Sequence, residues 1–166
     1  MNNKRADIEA KVIGDLDLLG ISYQLIHCDP KFADTAVFCE KYGYSLDECG
    51  NTILVASKKE PKQYAACVVR ASMKLDVNKT VRKLMGVQRL SFASADETMK
   101  RTGMLIGGVT VFALPPDILL YIDRSLMDLK TVILGSGSRS SKVHISPLIF
   151  KEMSNARIVE GLSSAM

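Results

Sequence analysis

The sequence predicts an α+β domain built around a curved, mixed β-sheet flanked by helices. Three observations predict it. Helix-period and β-branched segments alternate along the chain, but without a regular βαβ rhythm. Neighbouring strand segments read as hairpins, most clearly "NTILVAS" and "YAACVVR" around the basic turn "KKEPKQ". No segment reads as a linker, a repeat or a low-complexity tract, so the 166 residues are expected to form one domain, 1–166.

The elements follow in order. Ile8, Val12, Leu16 and Leu19 recur at helical spacing, and Gly20 is a C-cap. "ISYQLIHC" is a strand. "DTAVFCEKYG" is a short helix with Asp34 or Thr35 at its N-cap and Gly43 at its end. A second short helix around "SLDEC" leads into the hairpin of Thr52–Ser57 and Tyr64–Arg70. "LDVNKTVRKLMG" is a helix capped by Asp76 and closed by Gly86, and "VQRLSF" is a strand. "SADETMKRTG" opens on the capping box Ser94…Glu97. "DILLYID", "TVIL" and "KVHI" are strands, the last helix starts with Ser146 as N-cap and Pro147 at N1, and "ARIVEG" ends the fold as a strand.

Between Arg101 and Asp117 no residue is charged, which raises the question of a membrane span. Gly107-Gly108 and Pro115-Pro116 break any such helix, and Asp117, Asp123 and Arg124 follow soon after. The segment is instead a buried glycine loop feeding a core strand, and two adjacent glycines suit close approach to the backbone. The charged N-terminus does not resemble a signal peptide. Cys28, Cys39, Cys49 and Cys67 fall in no CxxC spacing, and there are two histidines, so buried thiols in a reducing cytoplasm are expected, with no metal site. His27 and His144 lie in strands and are read as structural. The net charge of +4 is compatible with a nucleic-acid partner without requiring one.

"GSGSRSSK" (Gly135–Lys142) fits neither the phosphate-loop nor the dinucleotide pattern, since it lacks a Gly-Lys pair and Ser140 replaces the third glycine. Two readings stand. It is a flexible hairpin loop, or it is a pocket wall whose amides and Ser136 and Ser138 hydroxyls meet an oxygen-rich ligand, with Arg139 near a phosphate.

Taken in order, "NTILVAS", the "TG…GGV…AL" block (Thr102–Leu114), "PPDILLYIDRSL", "GSGSRSS" and "ISP" resemble the YbaK family, the prolyl-tRNA-synthetase-associated editing domains. The resemblance runs from about Asp34 to Phe150. It implies a barrel-like sheet and a small cytoplasmic hydrolase that removes amino acids from mischarged aminoacyl-tRNA. The implied partners are the acceptor end of aminoacyl-tRNA and an aminoacyl-tRNA synthetase, with no membrane, metal or organic cofactor. The implied pocket lies between the two glycine loops. Asn51, Gly107 and Gly108 take the catalytic positions, with the glycine amides stabilising the oxyanion of ester hydrolysis. Phe32 and Thr35 sit at the entrance, and Thr110, Gly135, Ser136, Gly137 and Ser138 contact substrate. Lys58, Lys59, Lys74 and Arg139 would face tRNA phosphates, although scattered surface lysines are equally a solvated face.

The chain departs from the family pattern at two places. Asn51-Thr52 stands where the family usually has Lys-Thr, and that lysine is regarded as the main functional side chain. Asparagine offers hydrogen bonds but no charge. Thr110 stands where proline or another small residue is common. A non-catalytic aminoacyl-tRNA or RNA binder, and a binder or hydrolase of small esters, are therefore alternatives to the deacylase.

Overall fold

The computed structural model describes residues 2–166. Its helices are α1 (Asn2–Leu19), α2 (Thr35–Tyr42), α3 (Arg82–Met85), α4 (Ala95–Thr102) and α5 (Ile149–Glu152). Its strands are β1 (Tyr23–His27), β2 (Gly50–Ser57), β3 (Tyr64–Arg70), β4 (Met73–Leu75), β5 (Leu90–Phe92), β6 (Leu119–Asp123), β7 (Val132–Gly135), β8 (Ser141–Ile145), β9 (Ala156–Val159) and β10 (Ser163–Ala165). The architecture is α+β, as the alternation of periods predicts.

The main sheet has the order β5-β2-β3-β6-β9. It is mixed: β5, β2 and β3 run antiparallel, whereas β6 pairs parallel with both β3 and β9. A second sheet, β1-β8-β7, is antiparallel, and β10 pairs with β4. A parallel bridge between Cys49 and Ile133 joins the second sheet to the start of β2. Among the described residues the ladders stay open rather than closing into a barrel.

The central strands are buried on both faces, which is why they read as continuous apolar runs. Leu54, Ala66 and Val68 face a core shared with Ile8, Val12 and Leu16 of α1 and with Leu134 and Val143 of the second sheet. Val55, Ala65, Cys67 and Val69 face the opposite way, against Val81 and Met85. A third cluster under α2 gathers Phe38, Cys39, Cys49 and Ile133, with Tyr44 stacked on Phe38 at 5.3 Å between ring centroids.

Helix signals are placed where the caps predict. Gly43, Gly86 and Gly103 terminate helices with positive φ, and both hydrogen bonds of the Ser94–Glu97 capping box form. Asp76 accepts from the amides of Lys79 and Thr80, but the helix it caps opens as a π-turn over Val77–Val81. The last helix starts later than Ser146-Pro147 predict: those residues form a turn, with the Leu148 amide donating to Ser146 Oγ, and regular helix begins at Ile149. The fold ends on β10 rather than on "ARIVEG", and β4 and β10, at three residues each, are too short to signal strands.

Candidate functional site

A cavity of about 410 Å³ opens where the first turn of α2, the start of β2, the end of β5 and the two glycine loops meet. That size falls within the roughly 300–1,000 Å³ of small-molecule sites. Asn51 and Thr52 form one wall, Gly107 and Val109 a second, and Gly135 and Lys142 a third. Phe92 and Ile106 stand at its edge as exposed apolar side chains.

Asn51 lines the cavity near the start of β2, two residues beyond Cys49, whose bridge to Ile133 ties this end of the strand to the second sheet. Its Oδ1 accepts a 2.6 Å hydrogen bond from Thr35 Oγ1, in the first turn of α2. The Asn51 amide nitrogen keeps both donors free among the described residues. Thr52 Oγ1, also on the wall, is buried without a partner among the described residues. Thr35 thus acts on the cavity through Asn51, in addition to lining it.

The two glycine loops pack against each other. A Cβ on Gly108 would lie 2.5 Å from the Ser138 carbonyl oxygen, and one on Gly135 would collide with the Val109 carbonyl. The Gly137 amide donates to Gly108 O at 2.7 Å. Glycine at 108 and 135 is therefore required for the close approach of one backbone to another. Gly107 needs its freedom differently, having φ of +90°.

Several amides are already engaged. Gly108 N–H donates to Leu105 O, and Ser138 N–H to Ser136 Oγ. Gly107 lines the cavity, and its amide has no partner among the described residues. Gly108, Thr110, Ser136, Gly137 and Ser138 are buried behind the wall. The Ser136 hydroxyl donates to Ser141 O at 2.9 Å, and Ser138 Oγ donates to Glu9 of α1 at 2.6 Å. Thr110 Oγ1 is buried with no partner among the described residues. Helix α1 also holds the first loop from behind: Asp15 accepts from the Ala113 amide, fixing a non-glycine residue at φ of 56°.

Arg139 is a staple. Its guanidinium pairs with Asp34 at 2.9 Å and donates to Pro30 O and Ile106 O. Phe32 lies on the neighbouring 3-10 turn, half-buried, with Lys41 5.1 Å from its ring centroid. Lys58 and Lys59 are exposed and line a separate cavity of about 450 Å³ with Arg89. Lys74 is exposed on β4, opposite Ser164. His144 bonds Thr131, and neither histidine lines the main cavity.

Lys142 is the residue that sequence reasoning missed. It is 5% exposed on β8, and its ammonium donates to Ala33 O at 2.6 Å and Gly107 O at 2.7 Å. Burial lowers its pKa from the ordinary lysine value, Arg139 adds to that, and Cys28, Cys49 and Asp34 oppose it. One signal was available. Ser141, Val143 and Ile145 alternate with Lys142 along β8, which leaves Lys142 on the other face; its place opposite Gly135 shows only in the fold. Cys49 also lines the cavity, its thiol 3.5 Å from that of Cys39, and burial pushes its pKa up, so it stays protonated.

Comparison with known proteins fits this geometry. The chain is 31% identical over 119 residues to the uncharacterized protein YwhH of Bacillus subtilis (strain 168), covering 72% of this chain and 73% of that one. It superposes on the solved structure of hypothetical protein APE2540 with a TM-score of 0.82 and 27% identity, covering 93% and 99% of the two chains. A candidate trans-editing enzyme for prolyl tRNA synthetase shares the fold, with a TM-score of 0.80 at 18% identity over 95% and 98%. Residues 29–152 match the aminoacyl-tRNA editing domain, and the chain belongs to that family.

Proposed function

We propose that the protein is a deacylase that hydrolyses the ester of mischarged aminoacyl-tRNA. The observation that carries this reading is the cavity between the glycine loops, lined by Asn51, Gly107 and Gly135, in a chain of the aminoacyl-tRNA editing family. Editing answers a physical limit: a synthetase pocket discriminates poorly against a smaller or near-isosteric amino acid, so a second site must remove the error.

In this reading the acceptor end enters past Phe92 and Ile106, and the aminoacyl group occupies the cavity. Water attacks the ester carbonyl carbon. The oxyanion that forms is met by donors already in place, of which Gly107 N–H and the Asn51 amide are free. The carbon–oxygen bond to the ribose then breaks, and the ribose oxygen takes a proton, leaving free amino acid and tRNA. The scheme uses no metal or organic cofactor. Lys58, Lys59 and Lys74 are the proposed phosphate contacts, and the setting is the cytoplasm, where the substrate is made. No helix among the described residues is long and apolar enough to cross a membrane.

A panel of correctly and incorrectly charged aminoacyl-tRNAs tests the reading. At least one mischarged species should lose its amino acid faster with the protein than without it. If every species decays at its spontaneous rate while tRNA still binds, the protein is a binder and the deacylase reading falls.

A further inference from the structure

We propose that Lys142 is the cation of the cavity: its ammonium contacts the carbonyl oxygen of the scissile ester and holds the negative charge as the tetrahedral species forms. The proposal rests on the deacylase reading and names a substrate contact within it.

Lys142 carries an unbalanced charge. Lys142 is 5% exposed, yet no carboxylate lies within ion-pair distance among the described residues. Asp34, the acidic group on the neighbouring turn, is paired with Arg139, and Glu9 takes the Ser138 hydroxyl. A buried ammonium without a counter-ion is costly, and such charges are normally paired or neutralised. The two acceptors present, Ala33 O and Gly107 O, are neutral carbonyls. A neutral donor could satisfy them, so joining the two loops does not account for a charge at this position.

Geometry supplies the rest. An ammonium has three N–H donors, and two are engaged. The ring of Phe38 lies 5.5 Å from Nζ on one side. Lys142 lines the same cavity as Gly107, whose carbonyl fixes the ammonium and whose amide is free. Gly135, directly opposite on β7, adds no side chain between them. Both a backbone amide and an ammonium N–H on this cavity are thus left without a partner among the described residues. The negative charge that balances Lys142 is then brought by the reaction itself. The ammonium donates a hydrogen bond throughout and transfers no proton, so the bonds made and broken are those of ester hydrolysis already described.

The test uses two stable alanine-derived analogues: 3′-alanylamino-3′-deoxyadenosine, which is neutral at the linkage, and the 1-aminoethylphosphonate monoester of the adenosine 3′-oxygen, which is tetrahedral and anionic there. Calorimetric titration of the whole protein should show preference for the phosphonate. Lys142→Met should lose about 100-fold of that preference, the scale of one oxyanion donor, while weakening the neutral amide by at most about tenfold, the scale of one hydrogen bond. Asn51→Ala, which removes a neutral donor, should lose about tenfold of it, well short of the Lys142→Met loss. Should Lys142→Met fail to fold, the Nζ resonance of ¹⁵N-lysine-labelled wild type should move further with the phosphonate than with the amide. Equal preference in Lys142→Met and wild type, or a resonance that moves no further with the phosphonate than with the amide, overturns the proposal even if the protein deacylates tRNA. If it deacylates nothing but the Lys142-dependent preference is present, the deacylase reading falls and Lys142 remains the anion contact of the cavity.

Discussion

Gly108 and Ser138 touch through their backbones: a Cβ on the glycine would stand 2.5 Å from the Ser138 carbonyl oxygen. The two glycine loops form one double-layered wall, and Gly108 is in its buried layer. Gly108→Val should therefore act on stability first. Overpacking of this kind costs about 1–3 kcal/mol, with loss of activity following from displaced loops. Urea unfolding measures it; a valine variant as stable as the parent would show that the loops can separate freely.

Asn51 and Thr35 form the second relationship with a consequence. The 2.6 Å bond from Thr35 Oγ1 to Asn51 Oδ1 orients the amide so that its nitrogen is left as the donor. Thr35→Val should then copy much of Asn51→Ala, each lowering the single-turnover deacylation rate by about tenfold, the value of a neutral hydrogen bond of roughly 1.5 kcal/mol. The double variant should lose little more than either single one. Additive losses would mean that the two residues act separately.

How much of this was legible in the sequence follows from which signals are local. The Ser94–Glu97 capping box, the helix-ending glycines and the β2–β3 hairpin depend on neighbouring residues, and each could be read directly. The resemblance placed Asn51, Gly107 and Gly135, which share one cavity. Lys142 could not be found this way. Its role depends on β8 pairing with Gly135 and on the first loop arriving above it, contacts that span 35 residues in the case of Gly107. Ser136 and Ser138 look like ligand donors in sequence, but their hydroxyls face Ser141 and Glu9 inside the wall. Strands β4 and β10 exist because each completes the other, which neither three-residue segment announces.

The lowered pKa of Lys142 gives two pH dependences of defined sign. As the ammonium is the working form, the deacylation rate, corrected for hydroxide-driven hydrolysis, should fall as pH rises through the folded-state pKa. Stability moves the other way. Between that pKa and the ordinary lysine value of 10.5 the unfolded chain binds the extra proton, so this group's contribution to stability rises with pH. Cys67, pushed up to about 12 by burial, opposes it, being destabilising above the ordinary thiol value of 9.0. The Lys142 contribution is therefore read as the difference between wild type and Lys142→Met across the alkaline range. A difference that does not change with pH would mean that Lys142 has the same pKa folded and unfolded.

Lys58 and Lys59 are exposed at the end of β2 and share a cavity with Arg89, while the candidate site is at the other end of the same strand. Strand β5 runs antiparallel beside β2, with Phe92 opposite Val55 and Leu90 opposite Ser57, so this edge leads from the mouth of the site to the basic end. Strand rise is about 3.3 Å per residue, which puts Lys58, seven residues beyond Asn51, roughly 23 Å from it, a span of several nucleotides of single-stranded acceptor end. Phosphate contacts there should make tRNA affinity fall linearly in log K against log salt, by about 0.7 in slope for each phosphate neutralised on a single strand. Lys58→Glu with Lys59→Glu should weaken binding and flatten that slope by about 1–2 units. Thermal melting should be unchanged, because both side chains are in solvent, and the rate on a minimal aminoacyl-adenosine should be unchanged too. If the slope stays at its wild-type value, tRNA approaches over another face, and the exposed Lys74 on β4 becomes the next residue to reverse.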